Sequence, residues 1–391
     1  MSRRCALTQI QKSLIRQIFE GAPGNSINLA LGEPDFLKPD WFIELINSKI
    51  LNHYAYTPNA GLPEAREAAI EINGYNGFPD DVCLLCGAEE GLFATVAGVK
   101  LSVAPGKTQV LAPSPYFLTY PMISRLLGLD YSTYPIPPFC SGSLLESIQD
   151  KITASTALVI VNSPANPSGI MVCNDELHAI EELCESRGIF LLVDEVYRYF
   201  GNRSCPVSHQ WDTIGKFTIA VSSLTKAFGL PGLRLGWAFT KNEVIQQIII
   251  AHQSIAAISP AFSQQLLALF PKNDYKSWLD ANREKTISNR ENIMLLMDDA
   301  GIEYVRPEGA FYSLLKIPDA VMEKMDDVAF AFHLKEQHQI LTVPGSAFGE
   351  YSKGHLRLSF GGNASTFPEA IQRIRSGIDS VLQKKEQFLK I

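Results

Sequence analysis

Several things that would assign this chain to a familiar class are missing from it. No apolar run reaches about 18 uninterrupted residues, the length a membrane-spanning helix needs. The nearest approach, Ile248 to Phe262, is broken by His252, Gln253 and Ser254. Basic charge is scarce: 34 Lys and Arg stand against 41 Asp and Glu, a net charge of −7 with no basic cluster. That balance argues against nucleic acid or an anionic membrane as partner. The seven cysteines are odd in number and follow no framework spacing. Cys83-x-x-Cys86 has no second pair and no His-x-x-x-His to complete a zinc site. The two read as small apolar residues near a strand end, and a reducing cytoplasm fits best. The seven histidines include no pair at metal-ligand spacing, so no metal is expected. Nucleotide fingerprints are missing too. No Gly-x-Gly-x-x-Gly follows a strand, and Gly106-Lys107-Thr108 lacks the first glycine of a P-loop, with Leu101 in its place.

What is present is a large core. Of 391 residues, 46% are hydrophobic, enough for two domains. The middle of the chain alternates short apolar runs with longer helical patterns. Val110 to Ala112 ends at Pro113, Ala157 to Val161 at Asn162, Ile189 to Val193 at Asp194, and Phe217 to Val221 at a glycine-rich loop. Continuous apolar strands of this kind are buried on both faces, as in a parallel sheet covered by helices. In open α/β sheets the ligand lies outside the carboxyl ends of the strands. The notable polar and aromatic residues fall there: Tyr116 and Phe117, Asn166, Asp194 and Tyr197, and Lys226. After about residue 275 the texture changes to a long helix over Trp278 to Met297, short strands, a short helix and a terminal helix from Phe367.

The richest stretch is Ser223-Leu224-Thr225-Lys226-Ala227-Phe228-Gly229-Leu230-Pro231-Gly232-Leu233-Arg234-Leu235-Gly236. Lys226 offers an amine for Schiff-base chemistry, and Ser223, Thr225 and Arg234 can bind a phosphate. This segment resembles the lysine loop of class I aminotransferases, pyridoxal-phosphate enzymes of fold type I. The resemblance spans roughly residues 28 to 362. It implies an α/β fold, a three-layer α/β/α large domain with a mainly parallel sheet plus a smaller α/β C-terminal domain. On that reading residues 1–44 form an N-terminal arm and helix packing with the small domain, 45–275 the large cofactor-binding domain and 276–391 the small domain.

Other residues fall where that family's motifs lie. Asp194 closes an apolar strand, where a carboxylate is costly unless paired. Alone it also admits a helix N-cap; the resemblance implies a salt bridge to the protonated ring nitrogen of pyridoxal 5'-phosphate. Asn166, in Asn162-Ser163-Pro164-Ala165-Asn166-Pro167-Ser168-Gly169, and Tyr197 match the pair that shares the cofactor's phenolic oxygen. Cys86-Gly87-Ala88-Glu89-Glu90-Gly91-Leu92 opens a helical pattern, and helix N-terminal amides suit a phosphate. Gly87 and Ala88 match the phosphate turn, with Glu89 a departure that must point away from the phosphate or repel it. Phe117 matches the aromatic that stacks on the ring. Tyr56 matches a tyrosine that reaches the phosphate of a neighbouring subunit, which implies a homodimer with shared active sites. Gly32, in Gly32-Glu33-Pro34-Asp35-Phe36, matches the segment lining the substrate side. Arg357 sits in the apolar run Leu356 to Phe360; a buried arginine needs an anion. An internal ion pair would serve, and the family match is the arginine that grips the substrate carboxylate.

The expected activity is transfer of an amino group from an L-amino acid to a 2-oxo acid through a Schiff base on Lys226. Neutral, aromatic or basic donors are favoured over acidic ones, because no arginine occurs between His252 and Gln265 and Glu89 adds negative charge. β-Elimination, β-replacement or cyclisation on the same scaffold stays open, since it depends on pocket shape. A cofactor-binding effector domain of a transcription regulator is disfavoured, because only about thirty residues precede Gly32, too few for a winged-helix domain. Residues 1 to 19 carry Arg3, Arg4, Lys12 and Arg16 and no acid, a composition shared by targeting segments and amphipathic first helices. The motifs begin almost at once after it, which favours the helix.

Overall fold

The computed structural model describes residues 14–48, 55–205, 207, 211 and 214–383. Residues 1–13, most of the basic N-terminal stretch, lie outside them; its described end is a helix, Leu14–Phe19. Twelve strands are present among the described residues: β1 Ile27–Asn28, β2 Val82–Leu85, β3 Gln109–Ser114, β4 Asp130–Pro135, β5 Thr156–Asn162, β6 Phe190–Asp194, β7 Thr218–Ser223, β8 Gly236–Phe239, β9 Tyr312–Lys316, β10 Ile340–Leu341, β11 Val343–Pro344 and β12 His355–Ser359.

Seven of them form one sheet in the order β2-β8-β7-β6-β5-β3-β4. Pairing is parallel except along β8, which runs against both β2 and β7. The expected mainly parallel sheet is therefore observed, with one reversed strand. Its two faces are read directly from strand alternation. Leu111, Val159, Val161, Leu191, Val193 and Ala220 pack into one hydrophobic cluster. Their neighbours Val110, Leu158, Ile160, Phe190, Leu192 and Ile219 pack into another on the opposite face. Both faces are covered, so β5, β6 and β7 are buried along their whole length, which is why they read as unbroken apolar runs.

The apolar run expected to end at Pro113 continues as strand to Ser114. β3 pairs with β5 only as far as Leu111, whereas its pairing with β4 continues through Pro113 and Ser114. A proline is tolerated there because its nitrogen has no ladder partner to lose.

A third cluster joins Ile18, Leu29, Ala30 and Phe36 to residues from Ile293 to Val381. It surrounds the sheet β11-β12-β9 and includes the terminal helix Phe367–Gln383. The long helix Lys272–Asp299 serves both regions. Its early residues Tyr275, Trp278 and Leu279 pack in the first cluster, and Ile293 and Met297 in the third.

Candidate active site

The carboxyl ends of β5, β6 and β7 lie side by side, with Asn162 opposite Asp194 and Asp194 opposite Val221 in register. Each strand ends by delivering polar residues to one edge. β7 gives way to the helix Leu224–Ala227, with Ser223 as its N-cap, its Oγ accepting from the Thr225 N–H at 3.3 Å. That short turn carries Lys226, whose Nζ donates to the Gly32 carbonyl at 2.6 Å. A cavity of about 280 Å³ opens here.

Of the residues expected from sequence, Gly32, Ala88, Phe117, Asn166, Asp194, Tyr197, Ser223, Lys226, Arg234 and Arg357 all line this cavity. Gly87 stands just behind its wall, as the residue before the helix Ala88–Ser102. Tyr56 does not reach the cavity. Its side chain is 84% exposed, so within one chain it serves no part of this site.

Gly87 has φ +89°, and a Cβ there would lie 2.7 Å from an Arg234 guanidinium nitrogen. Arg234 in turn donates to the Cys86 carbonyl at 2.9 Å and the Pro231 carbonyl at 3.2 Å. At Gly236 a Cβ would sit 2.7 Å from the Ala88 nitrogen and the Gly87 carbonyl carbon. Loop, helix start and guanidinium are thus packed too closely for any side chain, leaving backbone N–H groups, the Ser223 hydroxyl and a cation converging from three elements. That is a donor set for a phosphate. Gly87→Ala should push the Arg234 guanidinium outward and weaken phosphate binding about tenfold, measured as the cofactor dissociation constant of the apo-protein.

Asp194 is buried, and burial pushes its carboxyl up to about 6. The Tyr120 hydroxyl, donating to Oδ2 at 2.6 Å, and the Val196 N–H oppose that rise, while the charges of Glu89 and Glu195 add to it. Tyr197 is also buried, its hydroxyl 3.1 Å from that of Tyr312, and desolvation raises its phenol. Asn166 uses Oδ1 to accept from Arg357 at 3.1 Å. With the oxygen so engaged, the amide presents its N–H₂ side elsewhere.

Arg357, on β12, is buried between the rings of Tyr312 at 4.7 Å and Phe348 at 4.9 Å. Its other donation goes to the Ala30 carbonyl. No carboxylate pairs with it among the described residues, so the internal ion pair that its sequence left open is not there. Its Nε is buried without a partner, and burial lowers its pKa. A desolvated guanidinium that lines a cavity and keeps an unpartnered N–H suits an anion.

Some supporting residues gave no sequence signal. Tyr120 sits in the first turn of the helix Thr119–Leu126 and reads as an ordinary core aromatic. Glu90 and His252 are 162 positions apart. His252 Nδ1 meets Glu90 Oε1 at 2.8 Å, and Glu90 Oε2 accepts from the Cys86 N–H. This pair braces the turn before Gly87 from behind. His252 is fully buried. The cysteine pair stays apolar in character: Cys83 is buried in β2, and burial raises Cys86 to about 12. Among the described residues no cluster suited to a metal is found and no helix is long and apolar enough to cross a membrane.

The model of the family described as aminotransferase class I and II matches residues 25–374. The chain belongs to that family. Similar proteins include a probable aspartate/prephenate aminotransferase of Aquifex aeolicus, 31% identical and aligned over 91% of both chains. An aromatic-amino-acid aminotransferase 2 of Thermococcus litoralis is 27% identical over 97% of this chain and 98% of its own. Among solved structures, a double mutant of Thermus thermophilus aspartate aminotransferase superposes with a TM-score of 0.84 at 26% identity, covering 96% of this chain and 99% of that one. The fold is therefore that of fold type I, and the protein is a pyridoxal-phosphate-dependent aminotransferase by family.

Proposed function

We propose that this aminotransferase moves an amino group from an L-amino acid to a 2-oxo acid, with Lys226 as the residue that links to pyridoxal phosphate and shuttles the proton. One observation carries this reading: Lys226, Asp194, Asn166, Tyr197 and Arg357 open into a single cavity beside a phosphate cradle. When bound, the cofactor supplies a conjugated ring that accepts electrons from the carbon losing its proton.

The residues present fit such a group. Gly87, Ala88, Ser223 and Arg234 would hold its phosphate. Asp194, costly as a buried lone carboxylate, would be stabilised by a ring N–H⁺. Asn166, through its N–H₂, and Tyr197 would hold the phenolic oxygen, and Phe117 would cover one ring face. Arg357 would then take the substrate α-carboxylate on two N–H groups and fix the direction of the Cα–H bond. Lys226 would take the proton from the substrate Cα and deliver it to the cofactor carbon bonded to the same nitrogen. Its contact with the Gly32 carbonyl holds the amine in the cavity. Tyr56 would serve a second subunit, which makes a homodimer with shared sites part of the proposal. Donors that are neutral, aromatic or basic are proposed over acidic ones, and a cytoplasmic setting is proposed with them.

The test is absorbance of the purified holoenzyme during addition of amino acids one at a time. A band near the visible edge that converts to the amine form with one donor and returns with a 2-oxo acid is the expected result. A band that persists while ammonia and pyruvate accumulate would instead mean elimination. Arg357→Lys separates binding from chemistry. A lysine keeps the charge but loses the two-pronged geometry, so kcat/KM should fall about 100-fold, with KM carrying most of the change.

A further inference from the structure

The cavity is lined by two carboxylates, and the reading above uses only Asp194. The second is Glu89, in the first turn of the helix Ala88–Ser102. The Thr119 hydroxyl donates to its Oε1, which tethers the side chain at the cavity instead of leaving it to wander. The charge is felt inside, because Glu89 contributes to the upward push on Asp194.

The cations of the cavity are Lys226, Arg234 and Arg357. Each already has an assignment, to the cofactor link, the phosphate and the substrate α-carboxylate. Among the described residues no further lysine or arginine lines the wall, so none of them would neutralise a second carboxylate on a substrate. Much of the rest is apolar, with Ile15 and Leu31 brought in by the N-terminal segment and Leu92 by the helix that carries Glu89. An aliphatic stem would lie against such a wall, and a positive tip would find one anion that no cation among the described residues is assigned to.

We propose that Glu89 selects amino donors whose side chain ends in a cation, of the ornithine, lysine or arginine kind, and disfavours aspartate and glutamate. This rests on the aminotransferase reading of the same cavity and narrows it to a substrate class. Specificity of this sort is a difference between two affinities, and one carboxylate acts on both, attracting the cationic side chain and repelling the anionic one. Glu89 is exposed at the cavity mouth, so solvent screens it and the effect is about tenfold rather than a thousandfold. The names of the similar proteins cover aspartate, prephenate and aromatic substrates, so family membership leaves this choice to the chain's own residues.

The experiment measures binding of two inert analogues to the holoenzyme by calorimetry, α-methylornithine and α-methylglutamate, which lack the Cα proton and cannot turn over. The expected result is that α-methylornithine binds at least tenfold tighter. Glu89→Gln should shrink that ratio about tenfold, and Glu89→Lys should invert it. In the wild-type protein the ratio should also shrink as salt rises from about 0.05 to about 0.5 M, since the screening length falls severalfold over that range. A wild-type preference for α-methylglutamate, or a ratio that neither substitution nor salt alters, would overturn the assignment of Glu89. If at the same time some amino acid still converts the cofactor band of the wild-type protein, the aminotransferase reading survives that failure. If none does, both fall together.

Discussion

Lys226→Ala should reduce turnover by about 10⁴-fold or more, the scale on which removing a central nucleophile or base acts. The reason is that two jobs sit on one nitrogen. In the structure Nζ is held 2.6 Å from the Gly32 carbonyl, on the short turn Leu224–Ala227 that follows β7. Among the described residues no other lysine lines the cavity, so none of them would replace its amine in the proposed link to the cofactor or in moving the proton. The loss should be specific. Gly87, Ser223, Arg234 and Asp194 are untouched by the change, so pyridoxal phosphate should still bind, though reversibly. Lys226 is only half-buried, so the melting temperature of the apo-protein should stay within a few degrees. The measurement is gel filtration of the loaded variant, followed by its absorbance. Wild-type protein should keep the cofactor and the visible band of a lysine-linked form, and the variant should shed the cofactor or show the spectrum of a free aldehyde. A variant that retained both band and turnover would place the linkage on another residue.

How much of this was legible beforehand differs by element. β5, β6 and β7 could be read from sequence because both faces are covered, which leaves no polar residue to interrupt them. The antiparallel β8 and the edge strand β4 could not. β4 is Asp-Tyr-Ser-Thr-Tyr-Pro, mostly half-exposed, and its pattern is that of many loops. Residues placed by motif, such as Lys226, Asp194 and Arg357, were found because each is odd in its local setting: an amine in a glycine-rich loop, a charge at the end of an apolar strand. Tyr120 was missed because a tyrosine in an amphipathic helix is ordinary, and what makes it matter is a contact 74 positions away. The Glu90–His252 brace was missed for the same reason. Tyr56 is the opposite case. Its motif was readable, but in one chain its side chain is 84% exposed and away from the cavity, so the role proposed for it would need a second copy.

Asp194→Asn should stabilise the apo-protein while destroying its activity. Burial raises this carboxyl from an ordinary 3.8 to about 6. A group whose pKa is higher folded than unfolded contributes stability that is fully present below the unfolded value and is lost as pH rises through the folded one. Below about pH 4 the carboxyl is protonated in both states and costs nothing extra. Above about pH 6 the folded protein carries a buried charge, at a cost of roughly 3 kcal/mol at about 1.4 kcal/mol per pKa unit. Asparagine removes that charge and still offers an oxygen to the Tyr120 hydroxyl. The apo-variant should therefore melt several degrees above wild type at pH 8, with the gap closing toward pH 5. Calorimetric melting of both proteins across that range is the measurement. A gap that stayed constant with pH would mean that the carboxyl titrates alike in the folded and unfolded protein, so that burial does not raise Asp194. In the loaded enzyme the sign reverses. On the proposed reading the carboxylate would then lie opposite a ring N–H⁺, and losing one partner of a buried pair costs roughly 3–5 kcal/mol. Spent on the transition state, that is a rate loss of about 10²- to 10⁴-fold. The strain that Asp194 places on the apo-fold is the same property that makes it useful once the cofactor is present, as expected where stability is traded for function.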